Sequence, residues 1–564
     1  MGAMEASRVD QGQPPCRRTP REATWEERLL QPTAPSEATL LDAPVEEIVT
    51  ALMRMRDPRG WSFYGQDIDR HGRIFQFVGH LLGPREQRLS LFMYECIMDA
   101  MADPRGSVEG VRKLLEDLES QGMKPTATMC QGALAALANH PDYGLRQDLL
   151  DMMRDYWFTV DQDAKQHVVV GLLRDEQYEL AYARLTDMIE QGALVAPWVY
   201  DVFILAFGKL GFLDEMMLLL RRRRDLAESD HVVTSLLYYA LDVCSQAFHR
   251  EGTIFAWNAA VRSSMVQPPD GIVENVLATA SRHGYAVLAT EALDLLSRRA
   301  RVLPYHYEAV VEAFAGSGDV AGALRVLCIM KKNGTSIGRE HTSSIRTAIR
   351  RIPRIIDQAE TALRKLAEVE AVPLAAASAV VEATAEAQGS ERVLALYGDV
   401  AMLCGEAVEA TTMQTLIMHS KTGETRRALA RDYTAKMAEQ ADPVRSPGAY
   451  EKLITACAKE GELDLALRFA AQAVALVGPG TTSRRQLGWM KPLLDCAAAR
   501  GDGRIWGVLD EVERRGDEGA RKMVRMLLLQ KRLAKRAAGR QASSSTTGLE
   551  TDGTTTPPQD STAF

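Results

Sequence analysis

The sequence predicts an all-α protein, a right-handed α-solenoid superhelix of about 12 helix-turn-helix repeats. Three observations carry the prediction. A pattern of about 35 residues recurs from Leu91 to Asp517: a helix with an aromatic or polar entry, a glycine turn, then a helix rich in Leu and Ala. Of the 564 residues 46% are hydrophobic but only 6% aromatic, so Ala, Leu, Met and Val supply most of the apolar surface, a mixture suited to close packing of short helices. Glycine falls where each copy needs its turn, because only glycine enters the left-handed cap freely.

Taken in order, residues 1–43 contain Pro, Glu and Ser without steady periodicity and are expected to be mobile. Residues 44–90 turn helical, with Val45, Ile48, Val49, Leu52 and Met53 at spacings of three and four, and read as an N-terminal cap that covers the first repeat. The repeat array spans 91–517. Its clearest copies begin at Tyr94, Tyr200, Tyr307 and Tyr450; weaker ones start near Cys130, Lys165, Val233, Val273, Ser343, Ala377, Met413 and Gly488. In the copy that opens at Pro447, Tyr450, Leu453, Ile454 and Cys457 share one helical face and Gly461 closes the helix. Glu462, Leu463 and Asp464 then open a second helix with acids in its first turn, where they complement the dipole. A basic helix over 518–540 and a Ser/Thr/Gly/Pro tail over 541–564, expected to be disordered, follow the array.

Composition bounds the function. A formal net charge of −8 argues against indiscriminate binding to polyanions, since no whole-surface positive field exists. The eight cysteines include no CxxC pair and most lie in apolar helical runs, which predicts buried free thiols and a reducing compartment. No stretch approaches the ~20 apolar residues of a membrane span. At the amino terminus Arg8, Arg17, Arg18, Arg21 and Arg28 suit a transit peptide, whereas Glu5, Asp10, Glu22, Glu26 and Glu27 do not. Met1-Gly2 lacks the Ser or Thr that myristoylation wants at the position held by Ala6.

Catalytic signatures are missing from the sequence. There is no HExxH, Walker loop, Rossmann glycine fingerprint or nucleophile elbow, and Gly478-Pro479-Gly480-Thr481-Thr482 lacks the lysine of a phosphate cradle. The ten histidines do not cluster with carboxylates at ligand spacing. These features predict a non-enzymatic protein with no cofactor, no metal and no small-molecule substrate.

Basic clusters punctuate the array. Arg221, Arg222, Arg223 and Arg224 follow one second helix; Arg298 and Arg299, then Lys331 and Lys332, hold comparable places later. Arg350 and Arg351 belong to another set, Arg426 and Arg427 to a further one, and Arg525, Lys531, Arg532, Lys535 and Arg536 lie on the basic helix after the repeats. Aligned on one edge, they would form a phosphate-tracking stripe. The bland reading is that bases at helix carboxyl ends complement the dipole. The terminal helix, with its own apolar component, would dock on the last repeat, lie on an anionic membrane surface or simply cap the array.

Tyr94-Glu95-Cys96-Ile97-Met98, Val111 to Leu118 and the closing Gln121-Gly122-Met123-Lys124-Pro125-Thr126 resemble the pentatricopeptide repeat family. Residues 447–474 and 304–332 resemble it nearly as well, and the Trp and Leu-Gly signature of the tetratricopeptide family is absent. The resemblance implies single-stranded RNA as ligand, an organellar and specifically mitochondrial setting, and a role in transcript maturation, stability or translation. It also implies one base per repeat, read by a side chain near the start of the first helix. Carried onto this sequence, those readers are Glu95, Gln131, Gln166, Asp201, Thr234, Glu274 (or Asn275 in a shifted register), Glu308 and Glu451. The family usually places Asn, Ser or Thr there, and only Thr234 conforms. A rival reading stays open: an interaction scaffold, such as an assembly factor or mitoribosome-associated component, whose acidic inner face grips a basic partner.

Overall fold

The computed structural model of the chain describes residues 24–56, 68–226, 231–299, 301–439, 447–476, 487–516 and 518–530. Among the described residues every element of regular structure is helical and no β-strand occurs. The chain divides into two compact units, 1–243 with 262–266, and 244–261 with 267–564.

In the first unit the helices Leu91–Ala100, Ala127–Asn139, Gln162–Arg174 and Pro197–Leu210 pack in sequence against one another. Each is followed by a second helix: Val108–Ser120, Tyr143–Asp155, Tyr178–Glu190 and Leu213–Leu226. Side-chain caps set many of the starts. Ser107 accepts from the Gly110 amide at 3.0 Å, Thr126 from Met129 at 3.1 Å and Asp142 from Leu145 at 2.9 Å. Ahead of them, Val45–Arg56 and Arg70–Leu82 bury Ile48, Leu52, Ile74 and Phe77 in one cluster with Met93 and Cys96 of the first repeat. Met53, read as part of that apolar face, is 56% exposed.

Residues 24–43, which show no steady periodicity in the sequence, are ordered into helix in part. They form the short helices Trp25–Leu29 and Glu37–Asp42, with Leu29, Leu30 and Leu40 buried in the cap cluster. Two arginines hold this segment by its backbone. Buried Arg73 donates to the carbonyls of Leu29 and Gln31, and Arg85 donates to those of Leu40, Leu41 and Ala43. Helices of five and six residues are too short to show a period in the sequence, so the segment reads as irregular. Residues 1–23 lie outside the described residues.

In the second unit the first helices are Asp270–Arg282, Pro304–Ser317, Ser343–Arg351, Leu374–Gln388, Ala410–Met418, Pro447–Lys459 and Met490–Arg500, each packed on the next. Their partners run from Ala286–Ser297 and Val320–Lys332 through Ile356–Val369 and Leu394–Cys404 to Gly423–Glu439, Leu463–Leu476 and Ile505–Arg515. Gly318 and Gly461 hold φ values of 85° and 77° at the expected turns. A Cβ on Gly284 would lie 2.8 Å from the Gly316 carbonyl carbon, so these two glycines let the turn of one repeat meet the first helix of the next. Beyond the array, residues 518–530 are helical and bury Ala520, Val524 and Leu527 at a helical spacing. The rest of the basic helix and the tail lie outside the described residues.

Cys96, Cys130, Cys244, Cys328 and Cys457 are buried free thiols, and Cys404 and Cys496 are half-buried. Burial pushes the Cys96 thiol up to about 12 and the Cys457 thiol up to about 11. Cys16 lies outside the described residues. Among the described residues no helix is long and apolar enough to cross a membrane.

Candidate nucleic-acid interface

Most of the reader positions lie at the joint between consecutive first helices, whereas Asp201 faces the second helix of its own repeat. Glu95 takes the Arg56 guanidinium at 2.8 Å and the hydroxyl of Thr126, at the start of the next first helix, at 2.6 Å. Gln131 donates to the Thr159 carbonyl at 3.5 Å. Gln166 is buried; it accepts from the Ala196 amide at 2.6 Å and donates to the Gln162 carbonyl at 3.3 Å. Asp201 accepts from Arg223 Nε at 2.7 Å. Thr234 and Glu451 are half-buried, the latter with its carboxylate against Gly488.

Two of these joints use histidine. Glu274 accepts from the Tyr305 hydroxyl at 3.3 Å and stands 3.1 Å from His306 Nε2, and Glu308 stands 3.1 Å from His341 Nε2. In each imidazole Nδ1 accepts a backbone amide, from Leu303 and from Gly338, which leaves Nε2 to carry the proton that faces the carboxylate. The electrostatic outcome therefore differs along the chain. Arginines pair with Glu95 and Asp201, whereas Glu274 and Glu308 face imidazoles and are about half exposed, at 43% and 45%.

The basic positions divide by burial. Arg223 is 1% exposed and ion-paired to Asp201; Arg426 is 2% exposed, donates to the Ser420 carbonyl and lies 3.6 Å from Glu460. Both are buried packing residues, Arg223 within its own repeat and Arg426 between its repeat and the next; the run of like residues in the sequence hides which one turns inward. Arg299 donates to the Pro268 carbonyl and lies 3.3 Å from Asp270, and Lys331 donates to the Val372 carbonyl at 3.1 Å. Arg298 pairs with Asp294, Arg350 with Glu386, Arg427 with Glu462, Arg525 with Glu513 and Arg224, at 3.9 Å, with Asp225. Arg221, Arg222, Lys332 and Arg351 are exposed. Lys531, Arg532, Lys535 and Arg536 lie outside the described residues.

One open groove of about 610 Å³ crosses the first helices Asp270–Arg282, Pro304–Ser317 and Ser343–Arg351. Arg282 and Arg351 stand at it with Glu308, Glu312, Ser343 and Thr347. Arg282 lies over the Phe248 ring, 4.0 Å from its centroid, and Glu312 accepts from the Ser281 hydroxyl at 2.5 Å. Two guanidiniums, the three carboxylates of Glu308, Glu312 and Glu340, and several hydroxyls thus line the groove over three successive repeats. Such a lining offers donors and acceptors for base edges and two guanidiniums for phosphate oxygens.

Sequence reasoning missed two features. Trp198, on the first helix Pro197–Leu210, lies tilted against His167 of the preceding first helix at 5.5 Å and stays 40% exposed. Burial pushes the His167 pKa down, which favours the neutral ring beside the indole. The second is buried Glu382, which accepts from Thr412 at 2.8 Å and pairs with Arg339 and with Arg346 at 3.0 Å. A lone carboxylate near the end of the run Leu374 to Ala383 was its only signal.

Residues 270–400 match a family model described as pentatricopeptide repeat-containing protein. No curated protein matches the chain. Among solved structures, the pentatricopeptide repeat protein PPR10 from maize is 14% identical, with 89% of this chain and 79% of that chain covered and a TM-score of 0.30. Yeast Rmd9p, solved with a 16-nucleotide target RNA, is 11% identical over 92% of this chain and 98% of that chain at a TM-score of 0.35. A homology model of the full-length AP-3 complex scores 0.37 at 12% identity, with 86% of this chain and 96% of that chain covered. Likenesses this distant to such different assemblies carry no functional argument.

Proposed function

We propose that the chain is a non-enzymatic helical-repeat protein that binds single-stranded RNA and acts in mitochondrial transcript maturation, stability or translation. One observation supports this above the others: the segment that matches pentatricopeptide repeats, 270–400, contains the open groove across three first helices. Arg282 and Arg351 take phosphates there, while Glu308, Glu312, Ser343 and Thr347 meet base edges, the carboxylates accepting from exocyclic amines. The side chains at the reader positions Glu95, Gln131, Gln166 and Asp201 bond within the chain, so selectivity rests on the groove rather than on one reader per repeat. The compartment and process rest on the resemblance of the repeats alone.

The test is crosslinking and sequencing of RNA bound to the full-length protein in cells, with Arg282→Glu/Arg351→Glu as the control. Both residues are exposed, so the control leaves the core intact. The reading expects a discrete organellar transcript that the control loses. Absence of any RNA above background, with discrete protein partners recovered instead, would overturn it in favour of the scaffold.

A further inference from the structure

Three successive second helices of the first unit end in the same turn, and one of them ends differently. Val108–Ser120, Tyr143–Asp155 and Tyr178–Glu190 are followed, at one repeat period, by Gly122, Trp157 and Gly192 in the left-handed region, at φ values of 68°, 61° and 73°. The backbone bond that closes each turn is shared: Met123 N–H to Leu118, Phe158 N–H to Met153 and Ala193 N–H to Met188, at 3.1, 2.8 and 3.0 Å. Glycine takes this conformation without cost, whereas a bulky residue there is strained. Trp157 pays for nothing inside the fold with that strain, since it is 93% exposed.

Its surroundings are those of a contact surface. Tyr156 is 41% exposed and stacks on Phe158 at 5.6 Å and 21°. On the corresponding loop of the next repeat, Leu194 is 88% exposed. The same helix ends and loops carry Asp155, Asp161, Asp163, Asp187 and Glu190, all exposed. Against them stand Arg154, paired to Asp151 and Asp155, and Lys124, whose ammonium sits 5.8 Å from the Tyr156 centroid.

We infer that the Trp157 turn is a docking knuckle for a protein partner that offers an apolar pocket rimmed by Lys and Arg. The indole enters the pocket and the flanking carboxylates meet the rim. Large aromatic side chains supply the anchors of protein interfaces, and complementary charge sets their orientation. RNA and an anionic membrane are disfavoured partners, because phosphate meets repulsion from these acids. The inference stands apart from the RNA groove, which lies in the other unit.

The test uses the full-length chain with a benzoylphenylalanine photocrosslinker in place of Leu194, which leaves Trp157 intact. The crosslinked protein is identified, purified and titrated against the chain, its Trp157→Gly variant and its Asp155→Lys/Glu190→Lys variant. The expected result is a loss of affinity of tenfold or more for Trp157→Gly, although this variant melts at or above the temperature of the unsubstituted chain. The acid reversals weaken binding several-fold and remove its salt dependence. Two results would overturn the inference: a crosslinked protein that binds Trp157→Gly as tightly as the original, or crosslinks that are nuclease-sensitive or lipid-borne and include no protein.

Discussion

The hairpin Pro304–Lys332 and its neighbour, which opens with Ser343–Arg351, occupy consecutive places in one array but are held by different forces. The first follows the grammar of the repeat: proline at its start, Gly318 at its turn, and Val310, Val311, Ala323, Leu324 and Leu327 buried between its helices. The second has a first helix of nine residues, cut short before Pro353, whose ring cannot donate the bond that would continue the helix. Its apolar contribution is smaller, with Ile345, Ala348 and Ile349 buried. Charge takes over. Arg346 bonds Glu382 and Glu386 on the following first helix, Arg350 adds a second contact to Glu386, and Arg339 reaches Glu382 and the Thr411 hydroxyl one repeat further on. The contrast teaches that a degenerate repeat keeps its place in the stack when ion pairs replace part of the apolar contact.

This account predicts its largest effect at Glu382. Removing a buried carboxylate that serves two arginines strips each of its buried ion pair, leaving Arg346 with Glu386 and Arg339 with Glu409 alone, so Glu382→Ala costs about 3 kcal/mol in urea unfolding. A double-mutant cycle with Arg346→Ala should recover part of that loss, and strict additivity would break the argument. Arg223→Ala in the first unit, which strands Asp201 and opens a buried gap, costs about 2 kcal/mol by the same measurement. Backbone effects are smaller and opposite in sign at two turns. Gly318→Ala destabilises by about 1 kcal/mol because its φ of 85° disfavours a Cβ, although no atom stands in the way. Trp157→Gly stabilises by about 1 kcal/mol for the converse reason, seen as a higher melting temperature.

The smallest effect is one of pH. Burial alone would raise the Glu391 carboxyl, but the Thr422 and Lys421 amides that donate to it hold it below the usual carboxylate range. A carboxyl depressed in the folded state contributes stability above its unfolded pKa and loses it as pH falls through the folded value. Stability of the Leu374–Cys404 repeat therefore falls on acidification from about pH 5. Glu391→Gln should flatten that fall, as followed by amide exchange in the segment.

Where the repeats follow their own grammar, the residues announced the fold. Tyr450, Leu453, Ile454 and Cys457 are all buried, and Gly461 turns as its position requires. Less was visible wherever one residue type serves two environments. The run Arg221 to Arg224 reads as uniform charge, yet the helical period sends Arg223 inward while Arg221 and Arg222 stay outside. The reader positions were placed by register alone. Register could not show that Glu95 and Gln166 spend their hydrogen bonds on the next repeat, because those partners lie 30 or so residues away in sequence. Nor could it show the strain at Trp157, which only the backbone angle reveals. The charges of the groove were legible as types but not as a set, since Arg282, Glu312 and Arg351 come from three different repeats.

The central claim is that single-stranded RNA binds along the first helices of 270–352. Its most direct measurement is the affinity of the purified full-length chain for a single-stranded RNA oligonucleotide as a function of salt, compared with Arg282→Glu/Arg351→Glu. Each phosphate contact on a single strand contributes about −0.7 to the slope of log K against log salt. The account predicts weaker binding by the double variant and a slope shallower by about 1.4. Equal affinity and equal slope for the two proteins would contradict it.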